Sequence, residues 1–309
     1  MTTPQSGIFA LGTRCQHHLE FDLRAPVALG PVTAALAALA EPHVTGGAAN
    51  LVLGFGPDLW ARLCPGEERP EGLAPFGEVE GRDGHRAPAT QHDVWVWIHG
   101  AGTDTVLDAA AAVADTLAPV AVLVEECPCF VYHDSRDLTG FIDGTANPAP
   151  AEAPSVACVP SGRPGAGGSH VLAQRWVHDL SAFAELAVVD QERVIGRTKL
   201  DSIALPAGSR PADAHISLAE IHDAEGNERP IYRRSAPYGS VAERGLYFVA
   251  FSGERDRFDA MLAQMFGTDG RDQRDRLLDF STAVTGSYYF APSAEDLAAI
   301  GTAITPGAA

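Results

Sequence analysis

The chain has 309 residues, 46% of them hydrophobic and 20% charged. Those proportions belong to a soluble globular protein of one large or two ordinary domains, and they exclude a disordered or collagen-like chain. The net charge of −18 repels nucleic-acid phosphates and anionic lipid, so neither nucleic acid nor membrane is an expected partner.

Residues Ile8 to Leu23 read as a long extended segment, ending in the alternation Leu19, Phe21, Leu23. Residues 31–41 read as a helix with Pro31 in its first turn and Val32, Leu36 and Leu39 on one face. Leu51–Leu53 predicts a short strand, 65–92 a loop, and Val94–Ile98 a strand. Residues 103–117 predict an amphipathic helix with Val106, Ala110, Val113 and Leu117 on its buried face. Ala121–Val124 is the next strand. This β-α-β-β-α-β order is the ferredoxin-like arrangement.

The Pro-, Gly- and Ala-rich stretch 146–168 reads as a connection. Beyond it come a strand around His170–Val177, helical material to about Val194, an extended piece at Ile231–Arg234 and a strand Leu246–Phe251. Residues 255–266 place Phe258, Met261, Leu262, Met265 and Phe266 at helical spacing. A strand near Ser287–Phe290 follows, and Ser293-Ala-Glu-Asp296 resembles a capping box opening a last helix. The second half repeats the element order of the first without repeating its sequence. Antiparallel sheets with helices on one face, an α+β fold, are the expected architecture.

No run of 18 apolar residues occurs, so no spanning helix is expected. The N-terminal residues show neither a basic-then-apolar leader nor a twin-arginine pair, and a cytoplasmic location is expected. The cysteines, Cys15, Cys64, Cys127, Cys129 and Cys158, are odd in number and irregularly spaced, which reads as reduced thiols. There is no P-loop, no strand-linked GxGxxG and no GxSxG.

Three segments could carry chemistry. In Gly140-Phe-Ile-Asp143-Gly144, two glycines flank an acid, which suits either a positioned base or a plain Asp-Gly turn. His215 stands alone; no HExxH or HxH accompanies it, and on a strand His17 and His18 would face opposite sides. Arg233 and Arg234 lie in an extended apolar segment. A sheet face that buried one of them would need an anionic partner; the alternative is one surface arginine and one structural ion pair.

Taken in order, Gly140-Phe-Ile-Asp143-Gly144-Thr, His215, Ile-Tyr-Arg233-Arg-Ser-Ala-Pro-Tyr-Gly and Gly245-Leu-Tyr-Phe248-Val-Ala-Phe resemble the dye-decolorising peroxidase family, most closely its compact B-type branch. The spacings of 72, 18 and 15 residues from Asp143 through His215 and Arg233 to Phe248 make the combination specific. Pro4-Gln-Ser-Gly-Ile, Ile195-Gly-Arg197-Thr-Lys and Leu277-Leu-Asp-Phe-Ser-Thr-Ala-Val-Thr-Gly extend the similarity over essentially the whole chain.

The resemblance implies two ferredoxin-like halves, 1–145 and a haem-binding 146–309, arranged like a dimeric α+β barrel. It implies one haem b per chain and peroxide-dependent oxidation of bulky aromatic donors through a ferryl intermediate. His215 corresponds to the axial iron ligand, Asp143 to the distal acid and proton shuttle, and Arg233 to the distal charge stabiliser. Leu246 and Phe248 would line the distal pocket, Arg197 would contact a propionate, and Asp275, with Asp279 as runner-up, would stand behind His215. Ser235 takes the place of an Asn that many relatives carry. Ala146 replaces a Glu common in relatives, which removes a carboxylate near the haem edge and argues against manganese oxidation. The family also implies a homo-oligomer. The terminal Ile-Thr-Pro-Gly-Ala-Ala is not a long tail of the type that docks some relatives into encapsulin shells. The competing readings are a non-catalytic haem-handling protein on the same fold and a haem-free interaction module.

Overall fold

A computed structural model describes residues 2–40, 49–66 and 69–302. Eight strands matter most: β1 Cys15–Leu23, β2 Ala49–Phe55, β3 Val94–Gly100, β4 Ala121–Phe130, β5 Ser169–His178, β6 Ala236–Gly239, β7 Arg244–Ser252 and β8 Ser287–Ala291. In the first half the sheet order is β2-β3-β1-β4, and in the second β6-β7-β5-β8, all antiparallel. Both orders are ferredoxin-like. The halves meet at two seams, Cys129 opposite Tyr238 and Phe290 opposite Phe55, so the eight strands close on themselves.

Closure gives every strand an inner and an outer face. Along β3, Trp95, Trp97 and His99 point inward, while Val94, Val96 and Ile98 pack outward against α1 (Leu29–Ala40) and α2 (Thr103–Leu117). Along β7, Tyr247, Val249 and Phe251 fill the interior and Leu246, Phe248 and Ala250 face outward. The interior also holds Glu20, which accepts hydrogen bonds from Tyr247 Oη at 2.8 Å and from Tyr289 Oη. Burial pushes its carboxyl above the usual range despite those two donors.

Over the outer face of β5 and β7 lie α3 (His215–Ala219) and α4 (Asp256–Phe266). The expected apolar face of α4, Phe258, Met261, Leu262, Met265 and Phe266, is buried there. Residues 103–117 are helical with the expected face inward. The predicted helix 31–41 spans Leu29–Ala40, and position 41 lies outside the described residues. At the last helix, α5 (Ala294–Thr302), Ser293 Oγ accepts the Asp296 N–H at 3.1 Å, one half of the expected capping box. Residues 303–309, on which the encapsulin expectation rests, lie outside the described residues.

Some elements differ from expectation. Ile8–Leu23 is not continuously extended: Ser6–Phe9 forms a 3-10 turn, held by Ile8 N–H donating to Gln5 O. The helix Pro57–Leu63 was not anticipated, because at seven residues it shows little more than one turn of periodicity. The 65–92 loop contains a two-residue hairpin, Val79–Glu80 with Arg86–Ala87. Among the described residues, no helix is long and apolar enough to cross a membrane. All five cysteines are free.

Gly245 is a point of close approach between β7 and β5. A Cβ there would lie 1.8 Å from the Trp176 carbonyl oxygen. Gly245→Ala should therefore destabilise the fold by about 1–3 kcal/mol, read as a lower urea midpoint; an unchanged midpoint would show that the seam can open freely.

Candidate active site

Two adjoining cavities with empty volumes of about 1060 and 690 Å³, mouths included, share Asp143, His178, His215, Arg233, Leu246 and Met261 as walls and form one slot. Its floor is the outer face of the second-half sheet. Arg233 and Ser235 stand on one edge, Leu246 and Phe248 on β7, and Gln174, Trp176 and His178 on β5. Its roof is α3 and α4, with Met261, Leu262 and Met265 facing the floor. Asp143 enters from the loop that joins the two halves.

That loop is shaped by its glycines. Gly140 and Gly144 have φ of +92° and +76°, values that L side chains rarely adopt. The Asp143 N–H donates to Ser135 O at 2.9 Å, and Asp143 Oδ1 accepts the Gly144 N–H at 2.6 Å. Asn147 ties the loop to the sheet: its Oδ1 accepts the Arg233 N–H at 2.9 Å, and its Nδ2 donates to Arg233 O at 2.8 Å. Burial pushes the Asp143 carboxyl above its ordinary range, the nearby Arg233 guanidinium pulls it back, and the Asp137 carboxylate adds to the rise. The Arg233 Nε is buried without a hydrogen-bond partner.

His215 opens α3. Its Nδ1 lies 2.6 Å from Asp275 Oδ2, and the other Asp275 oxygen accepts the Leu277 N–H at 2.8 Å. Asp275 is fully buried. A carboxylate only accepts, so in the neutral imidazole the hydrogen sits on Nδ1 and the lone pair on Nε2. Among the described residues Nε2 has no hydrogen-bond partner. Asp279, the alternative for this position, instead accepts from Arg274 Nη2 at 2.7 Å.

Arg197 lines the outer part of the slot and donates to Ser202 O at 3.0 Å. Burial weakens its hold on its proton; Glu220 opposes this, and the neighbouring guanidiniums of Arg233 and Arg210 reinforce it. That part of the slot carries both signs of charge, with Glu220 and Glu228 in the same wall as Arg197 and Arg229. Ser235 lines the slot with its hydroxyl turned back to the backbone, where it accepts the Val249 N–H at 3.2 Å. Arg234 takes neither course expected for it. It donates to Ile8 O at 2.8 Å and Ala10 O at 2.7 Å and stacks 5.1 Å over Trp97, so carbonyls and a ring take the place of an acid.

The structure thus gathers His215, Asp143, Arg233, Arg197, Ser235, Leu246 and Phe248 around one slot, with Asp275 against His215. Sequence reasoning missed Asn147 and the pair Asp137–His178, whose Oδ1 and Nε2 lie 3.2 Å apart in the slot wall. Burial alone would raise the Asp137 carboxyl, but His178 and Thr139 outweigh it and hold it below the usual range. It also missed Gln174. The alternation of β5 could have placed Gln174, Trp176 and His178 on one face, but only the pairing with β7 shows which face meets the slot.

A model of the Dyp-type peroxidase N-terminal region matches residues 5–130, and one of the C-terminal region matches 134–296. A dye-decolorizing peroxidase of Mycobacterium tuberculosis is 39% identical over 251 residues, covering 80% of this chain and 74% of that protein. A variant of DypB from Rhodococcus jostii, solved in complex with heme, is similar with a TM-score of 0.90 and 32% identity, over 97% of this chain and 99% of that one. The encapsulated DyP-type peroxidase from Mycobacterium smegmatis is similar with a TM-score of 0.90 and 33% identity, over 96% and 98%. The likeness to DypB is consistent with the B-type branch. Both family models together span nearly the whole chain, which belongs to the Dyp-type peroxidase family of enzymes.

Proposed function

We propose that the slot holds one haem b per chain and that the protein uses hydrogen peroxide to oxidise bulky aromatic donors such as dyes and phenolics. The observation that carries this reading is the convergence of His215, Asp143 and Arg233 on one cavity. The donor set suits the cofactor. The walls are largely apolar, the His215 Nε2 is free, and the Arg197 guanidinium in the wall suits a propionate. The heme complex of the similar DypB variant supports the same reading.

Bound haem would supply the redox equivalents for peroxide reduction. His215 would hold its iron through Nε2, with Asp275 giving the imidazole anionic character. Arg197 would contact a propionate, and Ser235, Leu246 and Phe248 would line the peroxide side. Asp143, when ionised, takes a proton from one peroxide oxygen and returns it to the other as the O–O bond breaks. Arg233 stabilises the charge that builds on the departing oxygen with the directed N–H donors of its guanidinium. In this reading residues 146–309 are the haem-binding half, and Asp143 reaches it from the end of 1–145. The reading includes a cytoplasmic location, which free cysteines suit. It also includes homo-oligomerisation, for which the exposed Val122, Leu123 and Val124 offer apolar surface.

An absorption spectrum of protein purified with added haem, before and after peroxide, tests the whole reading. A haem-free module would show no Soret band, and a haem-handling protein a band indifferent to peroxide. His215→Ala should lose most bound haem, and normal Soret intensity would contradict the ligand assignment. Asp143→Asn should keep its haem but slow the peroxide-dependent Soret change by ~10²–10⁴-fold in stopped flow; an unchanged rate would sink the shuttle role.

The base must be ionised, and burial raises its proton affinity. The peroxide step should therefore fail, as pH drops, at a higher pH than an exposed carboxylate would allow. Because Arg233 lowers that affinity, Arg233→Leu should move the failure to higher pH still, and movement the other way would refute the coupling. Dye turnover should nonetheless be faster at mildly acidic than at neutral pH, since reducing peroxide to water consumes protons.

A further inference from the structure

One polar group in the floor of the slot is left without a role by the reading above. Gln174 is 1% exposed and lines the same cavity as Asp143, His215, Arg233, Ser235 and Phe248. Its amide Nε2 is buried and has no hydrogen-bond partner. Buried donors of this kind are rare and destabilising in folded proteins, and they call for a specific reason. Methionine would fill the same wall without that penalty.

Strand register defines where the amide stands. Gln174 pairs with Phe248, while Arg233 pairs with Ala250 and Ala236 with Tyr247, which sets Ser235 opposite Phe248. Ser235, Phe248 and Gln174 thus form one row across three neighbouring strands, with about 4.8 Å between strands. The hydroxyl at one end of the row is short and turns to Val249, accepting its N–H at 3.2 Å and donating to its carbonyl at 3.5 Å. The carboxamide at the other end is longer and uncommitted, and its terminal torsion is soft enough to turn the amide toward the cavity.

We propose that Gln174 is a further ligand-contacting residue of the slot, its amide donating a hydrogen bond to the small peroxide or anion held beside Asp143 and Arg233, a contact that Ser235 does not provide. This rests on the peroxidase reading and adds to it a donor on β5. No bond is made or broken by Gln174; it orients the guest and steadies negative charge on it.

Fluoride binding to the ferric, haem-loaded protein tests the proposal, because fluoride is a small hydrogen-bond-accepting anion that binds without turnover. Gln174→Met keeps the side-chain volume but removes the donor, and Gln174→Glu replaces it with an acceptor. Both should keep the wild-type Soret intensity per protein. The fluoride Kd should rise by about three- to tenfold in the Met variant and further in the Glu variant, with a shifted fluoride-complex absorption band. The peroxide rate constant should fall in parallel while the KM for a dye stays unchanged. Identical fluoride affinity and band position in wild type and Gln174→Met would overturn the proposal. So would reduced haem loading with unaltered fluoride affinity per haem, which would make Gln174 a contact to the rim of the cofactor. A wild-type protein that takes up no haem would instead overturn the parent reading, a failure visible before any variant is made.

Discussion

Side chains alternate across a β-strand with a period of two, and in the second half of this chain that constraint couples the barrel to the slot. Tyr247 fills the sealed interior while its neighbours Leu246 and Phe248 line the slot. Arg234 is spent on the interior, on the carbonyls of Ile8 and Ala10 and the ring of Trp97, while Arg233 and Ser235 face outward. A one-residue slip of either strand would exchange the two sets completely. The aromatic interior therefore holds the register that aims Arg233.

The two faces of the sheet treat charge differently. Inside the barrel, burial drives several ionisable groups toward neutrality. His99 is pushed down to about 3 by burial and by Arg234, His18 is lowered mainly by burial, and Glu20 is raised. In the slot, carboxylates are set beside basic side chains instead. Asp143 faces Arg233, and Asp137 is bound to His178. A protein of net charge −18 thereby keeps guanidiniums, Arg197 and Arg233, in the wall of its slot. Global charge speaks to long-range partners, whereas a pocket is governed by the few groups within it.

Long periodic elements were legible before folding. Residues 103–117 and the face of α4 follow from spacing alone, since a buried stripe must recur every three to four residues. The strand Val94–Ile98 was equally plain, yet its alternation of tryptophan with valine did not reveal that both faces are buried. Closure of the sheet decides that. The short helix Pro57–Leu63 and the strand Ala236–Gly239 carry too few residues to show a period. In the site, Asp143 was marked by its glycines, and His215 and Arg233 by their order with it. Asn147, Asp137, His178 and Gln174 were given no role, because Asn147 meets Arg233 86 residues on, Asp137 and His178 are 41 apart, and Gln174 pairs with Phe248 74 away.

By itself the amino-acid sequence determined the long periodic elements of both halves, the glycine-flanked acid and the family whose motifs it carries. These are local properties, set by periodicity and by backbone freedom. Only the tertiary structure decided that Asp275 rather than Asp279 backs His215, that the Ser235 hydroxyl turns to the backbone, and which of two adjacent arginines enters the slot. Each of those outcomes depends on pairing between segments distant in the chain. Strand register and packing supply that pairing, and no short stretch of residues encodes it alone.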